Sequence, residues 1–343
     1  MRRPIQGLQD PKPVTLKDIA DHLGVSVTTV ARSLKDGHKI GPEMVQRVRQ
    51  AADRLGYVRN LDGVKLRTGK TLTILAQFAF PQEEEVGDAG ALGLLAGIHS
   101  RLADTDYTVR VVPAVIGENN LKAVVDVVRS RIADGVILDH IQPQDDRVKL
   151  LLEYGIPFVT YGRTELLTQH AYFDIDNEFA AWQGTSAMIG QGHRRIALVD
   201  LDPAFSFVQQ RLRGYRRALQ EAGLPFDPAL VAHVQPDPAA AREAAQRLTS
   251  ADNPDAFVCT NETVYLGVRA GVRSAAAGHS QRVGFSVRTG TNIGAYLGSR
   301  MTASHYSRIR SGYQLAELLL QRLDGRPADE LQVLARTELR EPS

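Results

Sequence analysis

The stretch VTLKDIADHLGVSVTTVARSLK, Val14 to Lys35, decides how the rest of the chain is read. Thr15 stands where it can cap a helix, and Asp18 three residues on completes a capping box. Val14 is placed to staple against Ile19. Leu16, Ile19, Ala20 and Leu23 line one face at helical spacing, and Gly24 supplies the left-handed residue that ends the helix. Ser26 is a second N-cap, so the next helix begins about three residues after the first one ends. So short a connection forces the two helices to cross steeply, the geometry of a helix-turn-helix.

Downstream, Gly41 followed by Pro42 marks a third helix start, and Gly56 its end. Val45, Val48, Ala52 and Leu55 form its buried stripe. Three short helices around so small a core leave the front of the second one uncovered. Its early side chains suit a major groove: Arg32 carries a fork that matches guanine O6/N7, Val27 offers methyl groups, and Thr28 offers a hydroxyl. Residues 1–70 hold 14 Lys/Arg against 7 Asp/Glu, whereas the whole chain has a net charge of only +2. A basic head on a mildly acidic body fits a polyanionic partner.

The bulk properties frame this head. A chain of 343 residues with 43% hydrophobic content folds as two or three globular domains. No apolar run is long enough to span a membrane, the first residues lack a signal-peptide pattern, and a lone cysteine, Cys259, fits the reducing cytoplasm. Cytoplasmic localisation is therefore expected.

The head, together with RVRQAADRLGYVRN at residues 47–60, resembles the headpiece of the LacI/GalR family of bacterial transcription regulators. That family's pattern runs Thr-Leu-x-Asp-Ile/Val-Ala, Gly-Val-Ser, Thr-Val-Ser-Arg, and a third helix ending in Gly-Tyr-x-x-Asn. The resemblance implies base readers at Val27, Thr28 and Arg32 and backbone contacts from Thr15, Ser26, Thr29, Tyr57 and Asn60. Ala31 stands where the family has a serine, which removes one hydroxyl from that surface. The following segment, LDGVKLRTGKT, is too short to hold a helix alone in water. In the family it becomes a hinge helix when two copies pair on DNA, with a leucine wedged into the minor groove. Leu66 takes that place here, and Arg67 follows it.

From Thr71 onward apolar strands alternate with amphipathic helices. TLTILAQF, YTVRVV, GVILDH and IPFVTY make a first set, and RIALVD, LVAHV, DAFVCT and RVGFSV a second. The expected helices of the second set include Asn177–Ile189 and Arg211–Ala222. This pattern predicts two open, mostly parallel α/β sheets in tandem with a cleft between them. No phosphate-binding glycine loop, HExxH or Cys/His cluster is present, so no cofactor, metal or catalytic residue is expected. YFDIDNEFAAWQGTSAMIGQGHRRIALV and RLRGYRRALQEAGL resemble the family's effector domain, which is built like periplasmic sugar-binding proteins.

The expected architecture is thus an all-α helix-turn-helix headpiece plus an α/β two-lobed periplasmic-binding-protein-like effector domain. The expected divisions are a flexible tail at 1–13, the DNA-binding domain at 14–59, a hinge at 60–70, and an effector-binding and dimerisation domain at 71–343. Within it, lobe 1 is expected at 71–161 plus 304–325, and lobe 2 at 162–303 plus 326–343. The resemblance implies effector contacts from Arg211, three residues before a Gly-aromatic pair, and from Asn261 of the Asn261-Glu262 pair. Strand ends and neighbouring positions add Asp139, His140, Arg163, Phe205, Phe207, Glu262 and Tyr306 as cleft candidates. Aromatic faces with Arg, Asn and Asp suit a sugar or sugar derivative. Ser286 replaces an aspartate with which the family grips effector hydroxyls.

A homodimer is expected, its two heads reading a pseudo-palindromic operator in double-stranded DNA. The expected function is an effector-responsive repressor of a carbohydrate uptake or catabolic operon. Two rivals remain: the same DNA-binding role with a nucleobase or nucleoside effector, and a sugar-converting enzyme on the same lobes.

Overall fold

The computed structural model of the protein describes residues 14–35, 39–58, 61–79, 89–115, 120–275, 283–292, 296 and 301–341. It divides into two compact units, Met1–Gly69 and Lys70–Ser343. The expected tail at 1–13 lies outside the described residues.

In the first unit, α1 spans Leu16–Leu23, α2 Val27–Lys35, α3 Pro42–Leu55 and α4 Leu61–Thr68. The capping box of α1 forms as its spacing dictates: Asp18 N–H donates to Thr15 Oγ1, and Thr15 N–H donates to Asp18 Oδ2 at 2.7 Å. Gly24 has φ +66° and Gly56 φ +70°, the left-handed caps of α1 and α3. Ser26 Oγ accepts from Thr29 N–H at 3.0 Å and so caps α2. Ile19, Ala20, Val30, Val48, Ala51 and Ala52 are the buried core, with Val14, Val25, Leu55 and Tyr57 packed around it. Helix α4 has no comparable apolar face; its Leu66 is 88% exposed.

The second unit begins with β1 (Thr73–Ala79), α5 (Ala89–Leu102), β2 (Thr108–Ala114), α6 (Leu121–Ser130) and β3 (Gly135–Leu138). It continues with α7 (Asp146–Glu153), β4 (Phe158–Tyr161), β5 (Tyr172–Ile175), α8 (Asn177–Gly190) and β6 (Ile196–Asp200). Next come α9 (Ser206–Glu221), β7 (Val231–His233), α10 (Pro238–Ala251), β8 (Ala256–Cys259) and α11 (Glu262–Ala275). The chain closes with β9 (Gly284–Thr289), β10 (Thr302–His305), α12 (Arg308–Leu323), β11 (Gln332–Ala335) and β12 (Glu338–Arg340).

These strands form two six-stranded sheets, in the orders β11-β5-β4-β3-β1-β2 and β12-β10-β9-β8-β6-β7. The first is parallel throughout, and in the second only β12 runs antiparallel to its neighbour. Helices cover both faces, so central strands are apolar on both sides. In β1, Ile74, Ala76 and Phe78 join one cluster, and Leu75 joins the other. Helices α5 and α12 pack so closely that a Cβ on Gly97 would lie 2.0 Å from the Ile309 carbonyl oxygen.

The lobe boundaries require correction. Strand β5 pairs with β4 and β11 pairs with β5, so 162–175 and 326–335 belong to the first lobe. The chain therefore crosses between lobes after Ile175, after His305 and after Ala335, rather than near Thr160–Arg163. The C-terminal segment carries two strands, one in each sheet, with Arg336 and Thr337 passing the chain from one to the other. Helix α9 also starts at Ser206 rather than Arg211; Phe205 occupies its N-cap without a side-chain hydrogen bond, leaving no capping signal to read.

Candidate DNA-reading face and effector cleft

In the first unit, Thr15, Ser26, Val27, Thr28 and Arg32 are exposed, while Thr29 and Tyr57 are half-buried. Val27 opens α2 and is 44% exposed because Val30, one turn on, takes the core position. Thr28 and Arg32 lie one turn apart and so share a helix face. Ser33 is tied inward, donating to the Thr29 carbonyl at 2.9 Å. Asn60 and the side chain of Arg67 lie outside the described residues.

In the second unit, the carboxyl ends of both sheets face one cleft. Its lining comes from Ala79 at the end of β1, Asp139 and His140 after β3, and Tyr161 and Gly162 at the end of β4. Asp174 and Ile175 of β5, Leu201 after β6, Thr260 and Asn261 after β8, and Arg288 near the end of β9 complete the strand-end set. Helix N-termini add Ala91, Leu94, Asn177, Phe207 and Arg308, with Arg211 one turn into α9. The space enclosed, counted out to its mouth, is about 700 Å³. Open α/β sheets bind ligands at such strand ends, beside the switch points where β1 meets β3 and β6 meets β8.

Arg211 is buried against Asp200, with Nη2 to Oδ1 at 2.6 Å and Nε to Oδ2 at 2.7 Å. Its guanidinium also lies over the Phe207 ring, 4.7 Å from the centroid. On the opposite lobe, Arg163 Nε donates to Asp174 Oδ2 at 2.8 Å. Asn177, the first residue of α8, joins these pairs: its Nδ2 donates to Asp174 Oδ1 at 3.2 Å and to Gln210 Oε1 at 3.2 Å. Arg211 Nη1 donates in turn to Asn177 Oδ1 at 3.4 Å. Burial pushes the Asp174 carboxyl up to about 6, against the opposing pull of Arg163. Asp139 accepts from the Ala79 N–H at 3.1 Å and lies 3.1 Å from His140 Nδ1, with His140 at φ +49°.

Of the expected cleft residues, Arg211, Asn261, Asp139, His140 and Phe207 line the cleft together. The other four do not. Glu262 turns away: its Oε1 accepts from the N–H groups of Gly290 and Thr291, each at 2.8 Å, and so holds the loop after β9. Phe205 is core, stacked on Phe207 with centroids 5.2 Å apart. Tyr306 packs against Phe173 in the first lobe, and Arg163 stands behind Asp174. Ser286 also faces elsewhere: a Cβ on Gly184 of α8 would lie 2.4 Å from its Oγ. Arg288, on the same face of β9 but two residues nearer its carboxyl end, reaches the cleft instead.

Asp174, Asn177, Arg288 and Arg308 were missed as site residues. A strand-end reading of YFDIDN would have found the first two; the others had no local signal.

Among the described residues no group of three or more His, Cys, Asp or Glu could hold a metal ion, and no helix is long and apolar enough to cross a membrane. Cys259 is buried, and burial pushes its thiol up, away from nucleophile chemistry.

A helix-turn-helix unit joined to a two-lobed α/β cleft defines a ligand-responsive DNA-binding regulator rather than an enzyme. Residues 15–60 match "Bacterial regulatory proteins, lacI family", and residues 91–336 match "Periplasmic binding proteins and sugar binding domain of LacI family". The chain belongs to the LacI family of transcriptional regulators. It is 33% identical over 249 residues to the HTH-type transcriptional regulator RafR of Escherichia coli, covering 72% of this chain and 73% of that one. In fold it is similar to a transcriptional regulator CelR–cellobiose complex, with a TM-score of 0.72 and 24% identity over 95% of this chain and 98% of that one. It is also similar to the lac repressor dimer bound to operator and the anti-inducer ONPF, with a TM-score of 0.73 and 18% identity over 96% and 98% of the two chains.

Proposed function

We propose that this protein is a cytoplasmic homodimeric repressor of a carbohydrate uptake or catabolic operon, controlled by a sugar-like effector bound between the two lobes. The observation that carries this reading is the cleft itself. An aromatic face, Phe207, stands beside Asp139, Asn177, Arg211 and Asn261, drawn from both lobes. A ring covers the apolar face of a pyranose while carboxylate, amide and guanidinium groups read its hydroxyls. The similarity to a cellobiose-bound regulator points the same way.

Val27, Thr28 and Arg32 read bases in the major groove; Thr15, Ser26, Thr29, Tyr57 and Asn60 hold phosphates; and Leu66, with Arg67, enters the minor groove. Helix α4 is the switch. With Leu66 exposed and Gly63 inside it, α4 depends on pairing with its copy, and the spacing of two effector domains decides whether pairing occurs.

Operator binding is tested by fluorescence anisotropy at fixed salt, using pseudo-palindromic duplexes from the gene's own neighbourhood. The expected result is a strong preference over shuffled duplexes, which Arg32→Ala reduces by about 1–3 kcal/mol at one base position. No preference for any such site would refute the reading. Thermal shift of the full chain against sugars tests the effector, since a ligand at 100 times its Kd adds about 2.7 kcal/mol.

A further inference from the structure

Among the described residues, two arginines in or behind the cleft have carboxylate partners. Arg211 has Asp200, and Arg163 has Asp174. Arg288 is 7% exposed, and among the described residues no carboxylate lies within 4.0 Å of its guanidinium. Its Nη2 donates to the Tyr161 hydroxyl at 3.2 Å, and its Nε is buried with no hydrogen-bond partner. Glu262, the acid whose charge reaches Arg288, is committed to the Gly290 and Thr291 amides.

A second cation approaches the same oxygen. Arg308 Nη1 donates to the Tyr161 hydroxyl at 2.9 Å, so one phenol accepts from two guanidiniums, one from each lobe. The path of the Arg308 stem requires glycine: a Cβ on Gly93 would lie 2.7 Å from Arg308 Cβ, and one on Gly290 2.3 Å from Arg308 Cγ. The electrostatics respond accordingly. Burial holds Arg288 below the usual guanidinium range, and Arg308 pushes it down further. Burial raises Tyr161, yet Arg308 and Arg288 outweigh it and bring the hydroxyl down. A buried guanidinium is costly without a counter-charge, and its planar donor edge matches a carboxylate or a phosphate in two parallel hydrogen bonds.

We propose that the effector is an anionic saccharide, bearing a carboxylate or phosphate group that Arg288 grips in the cleft beside Arg308. This rests on the reading of the cleft as a sugar site, and it names the feature that separates this ligand from a neutral sugar. Asp139, Asn177, Asn261 and Phe207 hold the ring, while Arg288 supplies the counter-charge.

The test is isothermal titration of the full chain with matched probes: cellobiose, cellobionate and cellobiose 6-phosphate; maltose and maltobionate; melibiose and melibionate; glucose, glucuronate and glucose 6-phosphate. In at least one set a charged member should bind about tenfold or more tightly than its neutral parent, the range a charge-assisted hydrogen bond supplies. The carboxylate and phosphate arms decide which anion the site takes. Arg288→Gln should bring the charged member down towards its neutral parent, and Arg288→Lys should keep part of the preference; operator binding without sugar reports that both variants fold. Neutral members binding as tightly as charged ones in every set would overturn the anionic assignment and leave the sugar reading intact. Binding by no member of any set would overturn both.

Discussion

Arg211→Gln is the most informative single change, because it separates two roles that one side chain combines. Arg211 and Asp200 form a two-pronged pair at 2.6 and 2.7 Å, with Asp200 fully buried. Removing the guanidinium leaves the carboxylate with one remaining partner, the Leu201 N–H at 2.7 Å. Breaking a buried pair from one side costs about 3–5 kcal/mol. At about 2–4 °C per kcal/mol for a domain of this size, the melting temperature of the effector domain should fall by roughly 6–20 °C. Adding Asp200→Asn removes the stranded charge and keeps an acceptor for Leu201, so the double variant should recover about 2 kcal/mol or more. Sugar response should stay absent in both, since Phe207 and Asn177 still lack their guanidinium neighbour. Urea denaturation and sugar-induced thermal shift, run on the four proteins of the cycle, give both readouts. A double variant no more stable than the summed single losses would show that charge stranding is not the cause. A double variant that regained the sugar response would show that Arg211 serves only the fold.

Other expected outcomes concern the hinge, the packing and pH. Gly63→Ala meets nothing within 4 Å and should favour α4 by about 1 kcal/mol per protomer; operator affinity should rise about fivefold or more, and unchanged anisotropy would remove α4 from the switch. Gly312→Ala would put a Cβ 2.0 Å from the Leu94 carbonyl oxygen and should cost about 1–3 kcal/mol by urea denaturation, whereas Gly190→Ala, with open space, should not destabilise. Asp174 is raised from 3.8 to about 6, so the folded state holds its proton more tightly than the unfolded one. Its contribution to stability is fully present below about pH 4, is lost as pH rises through 6, and is flat above. The stability of wild type minus that of Asp174→Asn should therefore decline across that window; a difference constant from pH 4 to 7 would show the carboxyl unshifted.

How much of this was legible depended on how local the cause was. The capping box, Gly24 and Ser26 act within four residues, so the headpiece could be read directly from Thr15 to Gly56. Strand β5 was not read as a strand: YFDI is four residues long, and its partners, β4 and β11, lie at either side of a long excursion. Missing it moved the lobe crossing by fourteen residues and hid Asp174 and Asn177. Glu262 and Asn261 are neighbours, yet they face different work, because a helix start points one at the Val264 N–H beside the cleft and the other at a distant loop. Arg308 depends on room left by Gly93 and Gly290, three segments that only the folded chain assembles.

The buried network also limits how the lobes can move. Asp174 belongs to the first lobe and Arg211 to the second, and Asn177 contacts both from the start of α8. Opening the lobes along the line from Asp174 to Arg211 would break the Asn177 bonds on one side of this network, although Arg163 would still hold Asp174 and the Ile175 carbonyl would still hold Asn177 Nδ2. A turn about Asn177 keeps those bonds while changing the contact between the lobes where Arg288 reaches across to Tyr161. The low-cost motion is therefore a rotation with its axis near Asn177. A ligand that replaces the Arg288–Tyr161 contact biases that rotation by the difference between its affinities for the two lobe arrangements.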